Sequence, residues 1–504
     1  MSIRRRTARL VAASAALSLT TATVAYAAGP GAAGIGDPYY PTYGNGGYDV
    51  SHYALDVTYV PATTTVQGRA TITATATQDL TSFNLDLLLT ASRVTVNGKA
   101  ATFTKGDRHE LVVTPASVLR KGTAMTVEVA YSGRPQGISY GEVSSPWIGG
   151  NTEALALGEP EIAAWWYPSN DHPRDKATFD MTFRVPKGLE AIGNGLLVSK
   201  ATVGSTDVWR WSVRQPMATY LAFMAIGQYS VSRGTSAGRP YVVAINQRGD
   251  QTAAGYARRD IMKTPQVINW EATQFGPYAF DRVGGVVPSM DFGYALETQT
   301  GPVYTQGFWG GGSNMFVVVH ENAHQWFGDS VSVHNWKDIW LNEGFATYAE
   351  MLYAEHTGQG TTNQLLKQMY DEYAAGDTYF WGVRLTDPGK HNEFNGAVYE
   401  RGAMALAALR HRIGAPALTR ILKTWTAQKK GGNGTVEEFE ALATKISGQN
   451  LGGFFQHWLV DRRKPAQTAE NGLTGLTSST RSSSAALGRI LANTRMYAAR
   501  DHAR

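Results

Sequence analysis

Residues 316–328 read FVVVHENAHQWFG, and residues 341–350 read LNEGFATYAE. In the first stretch His320 and His324 stand four apart, a spacing that a helix brings onto one face. Two imidazole nitrogens can then meet at one metal ion. Glu321 sits beside them, where a carboxylate can take a proton from a water at that ion. A catalytic zinc needs a third protein ligand. Glu343 is the candidate, in a second segment with helical character from Glu343 to Tyr353. The longer zincin signature requires a glycine and a third histidine where this chain has Phe327 and Ser330. Two histidines and a carboxylate are therefore favoured over three histidines. The competing reading is a core helix with incidental histidines, since Phe316-Val317-Val318-Val319 has the character of core. Polar groups beside that run are costly to bury without a partner, which favours the metal site.

The same residues carry a resemblance. HENAHQWFGDSV (320–331) and WKDIWLNEGFATYAE (336–350) resemble the zinc core of the aminopeptidase N family of zinc metallopeptidases, the gluzincins. Upstream, YALET (294–298) occupies the place of that family's Gly-Ala-Met-Glu-Asn exopeptidase motif. Downstream, VYERGAMALAALR (398–410) resembles the segment that carries the family's catalytic tyrosine. WYPSNDHPRDKATFDMTF (166–183) resembles a further family region, and Glu159 precedes it in GEPEIA.

The resemblance covers residues 45 to 465. It implies one Zn2+ per chain on His320, His324 and Glu343, with Glu321 as general base. Tyr399 is implied as a hydrogen-bond donor to the oxyanion. Glu297 and Glu159 are implied as carboxylates for the substrate's α-ammonium group, with Ala295 beside them as a substrate-binding residue. Tyr294 and Thr298 depart from the family's Gly and Asn, so the local turn and the first side-chain pocket are expected to differ. The implied substrates are peptides with a free N-terminus. The alternatives are a zinc endopeptidase, which has no ammonium to bind, and a catalytically dead peptide-binding protein, which has no need of Glu321. His334 reads as an ordinary loop histidine.

Outward from this core the pattern divides. ALDVTYV, ATITATAT and MTVEVAY alternate with period two, and Asn97-Gly98 in VTVNGKAATF is a hairpin signal. FVVVHENAHQWFG, TNQLLKQMYDEY, GAMALAALRHRIG and TVEEFEALATKISG have helical spacing. In the last, Thr435 and Glu438 have capping-box spacing and Gly448 stands at the far end. The expected fold is α+β and multidomain. An antiparallel β-sandwich-like domain spans 49–234 and a thermolysin-like, mostly helical catalytic domain spans 235–465. The large C-terminal helical domain of many relatives has no room here.

Residues 28–48 read as a Gly/Pro/Tyr-rich N-terminal extension. Residues 466–504 read as a basic, disordered tail in which AALGRILANTRMYAAR could form a short helix. Residues 1–27 read as a signal peptide: arginines, an apolar stretch, then Ala25-Tyr26-Ala27 as a cleavage site. Adjacent arginines raise twin-arginine export beside the general secretory route.

The chain has 504 residues, 43% apolar and 17% charged, which suits a globular protein of two or three domains. Its formal charge of +5 comes from the leader and the tail, so nothing points to nucleic acid. Beyond the leader no segment has the uncharged apolar length of a membrane span. With no cysteine, a thiolate ligand and a thiol nucleophile are both excluded. A secreted, bacterial, monomeric enzyme is expected.

Overall fold

The alternation in ALDVTYV and ATITATAT becomes a long hairpin. Strands β1 (Tyr48–Val60) and β2 (Thr65–Ala76) pair antiparallel, with Tyr53, Leu55, Val57, Ala70 and Ile72 turned into the core. Six more strands complete that sheet: β3 (Thr90–Val96), β4 (Lys99–Ala100), β5 (Ala124–Gly133), β6 (Ala177–Pro186), β7 (Leu196–Val203) and β8 (Thr206–Met217). Their order is β7-β8-β6-β1-β2-β5-β3-β4. Asn97 and Gly98 join β3 to β4 with φ of 51° and 75°, the left-handed conformations that a tight hairpin turn requires. Two four-stranded sheets accompany this one in the first half of the chain.

This computed structural model describes residues 28–106, 109–140, 145–477 and 480–502; the expected signal peptide lies outside them. The β domain is not purely antiparallel, because β6 runs parallel to β1. The long connection between those strands allows this, whereas a short hairpin would force the antiparallel arrangement.

The second half is built on a five-stranded sheet of β9 (Tyr229–Ser236), β10 (Arg239–Asn246), β11 (Val283–Val287), β12 (Ala295–Leu296) and β13 (Val303–Tyr304). The order is β9-β10-β11-β13-β12. The boundary expected between 234 and 235 therefore runs through β9, whose partner is β10 of the helical half. Helices follow: α1 (Gln251–Ile261), α2 (Thr264–Phe275), α3 (Met315–Ala323), α4 (Trp340–His356), α5 (Thr362–Glu372) and α6 (Thr378–Trp381). Then come α7 (Gly396–Ile413), α8 (Ala415–Gln428), α9 (Val436–Ser447), α10 (Gly452–Phe455) and α11 (Arg481–His502). Helix α9 has the Thr435–Glu438 capping box, and Gly448 closes it at φ 68°. Among the described residues no helix is long and apolar enough to cross a membrane.

Two glycines set how α4 and α7 cross. A Cβ on Gly344 would meet the Gly402 Cα at 2.9 Å, and one on Gly402 would meet the Gly344 Cα at 2.8 Å. The helices touch backbone to backbone there. Glu343 and Tyr399, close to those glycines on the two helices, are brought toward one point as a result.

One expectation from composition gains a structure and one is corrected. The 28–48 extension is a packed strap: Asp37 Oδ2 accepts from Trp336 N at 2.8 Å and lies 3.1 Å from His172 Nε2, and the Tyr40 hydroxyl donates to Glu393 at 2.7 Å. It ties the two halves together. The 466–504 tail is not disordered in its described part. It carries α11, whose Ala486, Leu487, Ile490, Leu491 and Tyr497 are buried. A small-residue, Ser-rich composition cannot build a core alone, but here an apolar stripe finds a surface already formed by α3, α4, α5 and α7.

Candidate functional site

Helix α3 starts where the Asn314 side chain accepts from Val317 N, and its apolar turn drives into the core. That burial fixes the rotation of the helix and aims His320 and His324 the same way. Helix α4 lies against it and supplies Glu343. His320 Nε2 is 3.4 Å and His324 Nε2 is 3.3 Å from the same Glu343 Oε2. The ligand atoms of these three residues all lie within 4.8 Å of one another.

The other ring nitrogens are held. His320 Nδ1 is 2.9 Å from Glu350 Oε1, and His324 Nδ1 is 3.0 Å from the Phe327 carbonyl. Such contacts fix tautomer and ring orientation, so that each Nε2 presents its lone pair to a metal. Glu350 was not singled out from sequence. Its signal was present: it follows Glu343 by seven positions, two helical turns, and so shares its face.

One small cavity is lined by these three candidate ligands together with Glu321 and Tyr399. The same cavity is lined by Glu159, Ala295, Glu297 and Tyr497. All eight residues anticipated from sequence thus meet in one place, and Tyr497 is the addition. Ala295 lies on β12, at the edge of the five-stranded sheet, with Glu297 just beyond it. The Glu297 side chain accepts from the Tyr220 hydroxyl at 3.0 Å, and its carbonyl accepts from Gln325 Nε2 at 2.8 Å. Tyr399 enters from α7, its ring stacked 6.0 Å from that of His320. His334 lies away from the lining, its backbone N–H bonded to the Gly434 carbonyl at 3.0 Å.

The charges are unbalanced toward the negative. Burial pushes the Glu321 carboxyl up to about 7, against the pull of the two nearby imidazoles. Burial opposes charge on His320, but Glu343 and Glu350 hold its pKa up at about 9. His324 is raised as well, because the opposite charges of Glu343 and Glu297 outweigh its burial. Burial would raise Glu343, yet the two imidazoles hold it well below the usual carboxylate range. The site therefore draws positive charge in as protons on two histidines. A divalent cation would satisfy the same field and leave the imidazoles neutral. His320 Nε2 makes no hydrogen bond of ordinary geometry although it is buried. An N,N,O donor set with one such orphaned nitrogen fits zinc.

Comparison with known proteins agrees with this geometry. A model of the peptidase family M1 domain matches residues 312–458, and one of the peptidase M1 N-terminal domain matches residues 49–221. An aminopeptidase N of Lactobacillus delbrueckii subsp. lactis is 26% identical over 457 residues, covering 84% of this chain and 52% of that protein. A rat glutamyl aminopeptidase is 26% identical over 340 residues, covering 63% of this chain and 36% of that protein. The chain thus spans about a third to a half of such curated relatives. Among solved structures, an M1 zinc metallopeptidase from Deinococcus radiodurans superposes with a TM-score of 0.76 at 26% identity, covering 86% of this chain and 99% of that one. A variant of the Deinococcus protein bound to a Tyr-Ser-Ala substrate superposes with a TM-score of 0.76 at 25% identity, again covering 86% of this chain and all of that one.

Proposed function

We infer the function from one premise: this chain belongs to the peptidase M1 family. It is a zinc-dependent aminopeptidase that removes the N-terminal residue from peptides. The observation that carries this reading is the lining of one cavity by His320, His324 and Glu343 and also by Glu297 and Glu159. A metal centre alone suits any zinc peptidase. Two further carboxylates beside it form an anionic end that suits an α-ammonium group, because a charge-assisted contact is strong where water is excluded.

A zinc ion on His320, His324 and Glu343 would supply Lewis acidity, polarising a carbonyl and lowering the pKa of water to about 7. The protein's own groups carry the protons. Glu321 is buried and next to a ligand without being one, so it is free to take a proton from the attacking water and pass it to the leaving amine. The Tyr399 phenol donates to the oxygen that becomes negative as the carbonyl is attacked. Glu297 and Glu159 hold the ammonium end, which would bring the first peptide bond to the side of the cavity lined by His320, His324 and Glu343. Ala295, on the edge strand, lies along the first residue of the substrate.

The test compares a free and an N-acetylated peptide on wild type and Glu297→Ala. The free peptide should be cleaved and the acetylated one spared. The variant should bind the free peptide more weakly, by about the 2–5 kcal/mol that breaking a buried charge pair costs. Equal cleavage of both peptides by wild type would hand the chain to the endopeptidase alternative. Export follows from the leader pattern of residues 1–27. Mass spectrometry of secreted protein should find a mature chain beginning at Ala28, and retention of the arginines would refute this. The mature enzyme is proposed to act as a monomer, which its sedimentation would check.

A further inference from the structure

Helix α11 reaches the catalytic groups themselves. Its buried face carries Ile490, Asn493, Thr494 and Tyr497. Asn493 Nδ2 donates to Glu350 Oε2 at 3.0 Å, the carboxylate whose other oxygen holds His320. Asn493 Oδ1 accepts at 2.8 Å from the side chain of Asn314, which caps α3. One turn further on, the Tyr497 hydroxyl donates to Glu321 Oε1 at 2.8 Å. The Tyr497 ring is stacked 4.5 Å from His320 and lies 5.5 Å from Tyr399, with the two tyrosine rings 4° from parallel. Arg489 adds a bond to the Ser313 carbonyl at 2.9 Å.

The space left beside the metal ligands has a volume of about 10 Å³, room for about one water. A peptide group needs far more, since ligand sites run to about 300 Å³ and above. One of the two carboxylate oxygens of Glu321, Oε1, is already occupied by the Tyr497 hydroxyl. Substrate and Tyr497 therefore compete for one place.

We propose that α11 is an inhibitory segment, seated in the substrate cleft with Tyr497 against the general base, and that the enzyme works when it is removed or displaced. This rests on the aminopeptidase reading for its consequence but not for its geometry. The tether fits such a role. Leu473 is buried, whereas Thr474, Gly475 and Thr477 after it are exposed and open to a protease. Cutting there frees α11 and leaves the chain of α3 and α4, which carry His320, His324 and Glu343, intact.

The test uses three proteins: the full chain, a chain ending at Thr477, and full-length Tyr497→Ala. Three quantities are read: hydrolysis of a free aminoacyl substrate, the rate at which 1,10-phenanthroline strips zinc, and binding of a synthetic 480–502 peptide to the shortened chain by calorimetry. The shortened chain should gain about tenfold or more in kcat/KM, the factor expected when a closed state holding nine-tenths of the molecules is abolished. Tyr497→Ala should gain in the same direction. Zinc should leave both faster than it leaves the full chain, and the peptide should bind the shortened chain and inhibit it in competition with substrate. If the shortened chain fails to fold, Tyr497→Ala alone decides. Equal turnover and equal zinc loss across the proteins overturn the proposal. So does a drop in turnover in Tyr497→Ala with zinc retained, which would make Tyr497 a helper in catalysis. If all three proteins are inactive but zinc leaves the open forms faster and the peptide binds, the inhibitory segment stands and the aminopeptidase reading falls.

Discussion

His320, His324 and Glu343 in the helical half, and Asp86, His109 and Glu110 in the β domain, both bring ligand atoms within 4.8 Å of one another, and all six residues are buried. Their wiring differs. In the helical half each Nδ1 is anchored and each Nε2 is turned to the shared space. In the β domain His109 Nε2 lies 2.8 Å from the Thr42 carbonyl. A nitrogen against a carbonyl oxygen carries its proton there and has no lone pair to give. Asp86 is also engaged, accepting from Asp171 N at 2.7 Å and Asn45 Nδ2 at 3.1 Å, and its other oxygen lies 3.0 Å from His109 Nε2. The His109 ring is stacked on Tyr43 with centroids 4.5 Å apart. The lesson is that proximity of ligand-type residues is a poor guide to a metal. Which lone pairs the surrounding bonds leave free decides the matter. By that criterion the helical cluster, whose two Nε2 atoms face the shared carboxylate, is the better candidate for a metal, whereas the nitrogen that His109 turns to its carboxylates is already bonded.

The largest expected effects break the comparison if it is wrong. His324→Ala should lose zinc and activity together, whereas His109→Ala should keep zinc at one per chain by metal analysis. Glu321→Gln should keep zinc and lose activity by about 10²–10⁴-fold, the usual worth of a general acid–base group. Zinc lost from the His109 variant instead would reverse the assignment.

A smaller effect sharpens the claim about anchored nitrogens. Glu350→Gln removes the charge behind His320 but leaves all three ligands in place. Zinc affinity should fall by about 10–100-fold, as for other groups that orient metal-bound histidines. An unchanged affinity in a chelator competition would mean that α3 alone orients the ring.

The smallest effect concerns stability in the β-domain cluster. Burial, and then the charge of Asp86, push the Glu110 carboxyl from 4.5 up to about 8. The folded chain therefore holds a proton there that the unfolded chain releases near 4.5. Stability from this group is full below the unfolded value and falls as pH climbs from about 4.5 to about 8. Glu110→Gln should have a Tm less sensitive to pH over that window, and a higher Tm than wild type at its alkaline end. Parallel Tm–pH curves for the two proteins would show that Glu110 does not titrate as described.

The sequence by itself determined what is local. A four-residue step on a helix fixed His320 and His324 to one face, period two marked the strands, and Asn97-Gly98 and Thr435–Glu438 marked a turn and a cap. These follow from backbone geometry within a few residues, so no knowledge of distant contacts is required. Glu350 was equally local and legible in its spacing from Glu343. Tertiary structure alone decided the parallel seam of β1 and β6, the packing of the 28–48 strap, and above all the place of α11. Tyr497 meets Glu321 across 176 residues of chain. Its helix is too short of large apolar residues for composition to mark it as ordered. The buried stripe through Leu487, Ile490, Leu491, Thr494 and Tyr497 is stable because other helices offer it a surface. That surface exists only once the chain has folded, which is why the place of this helix beside Glu321 could not be read from its own segment.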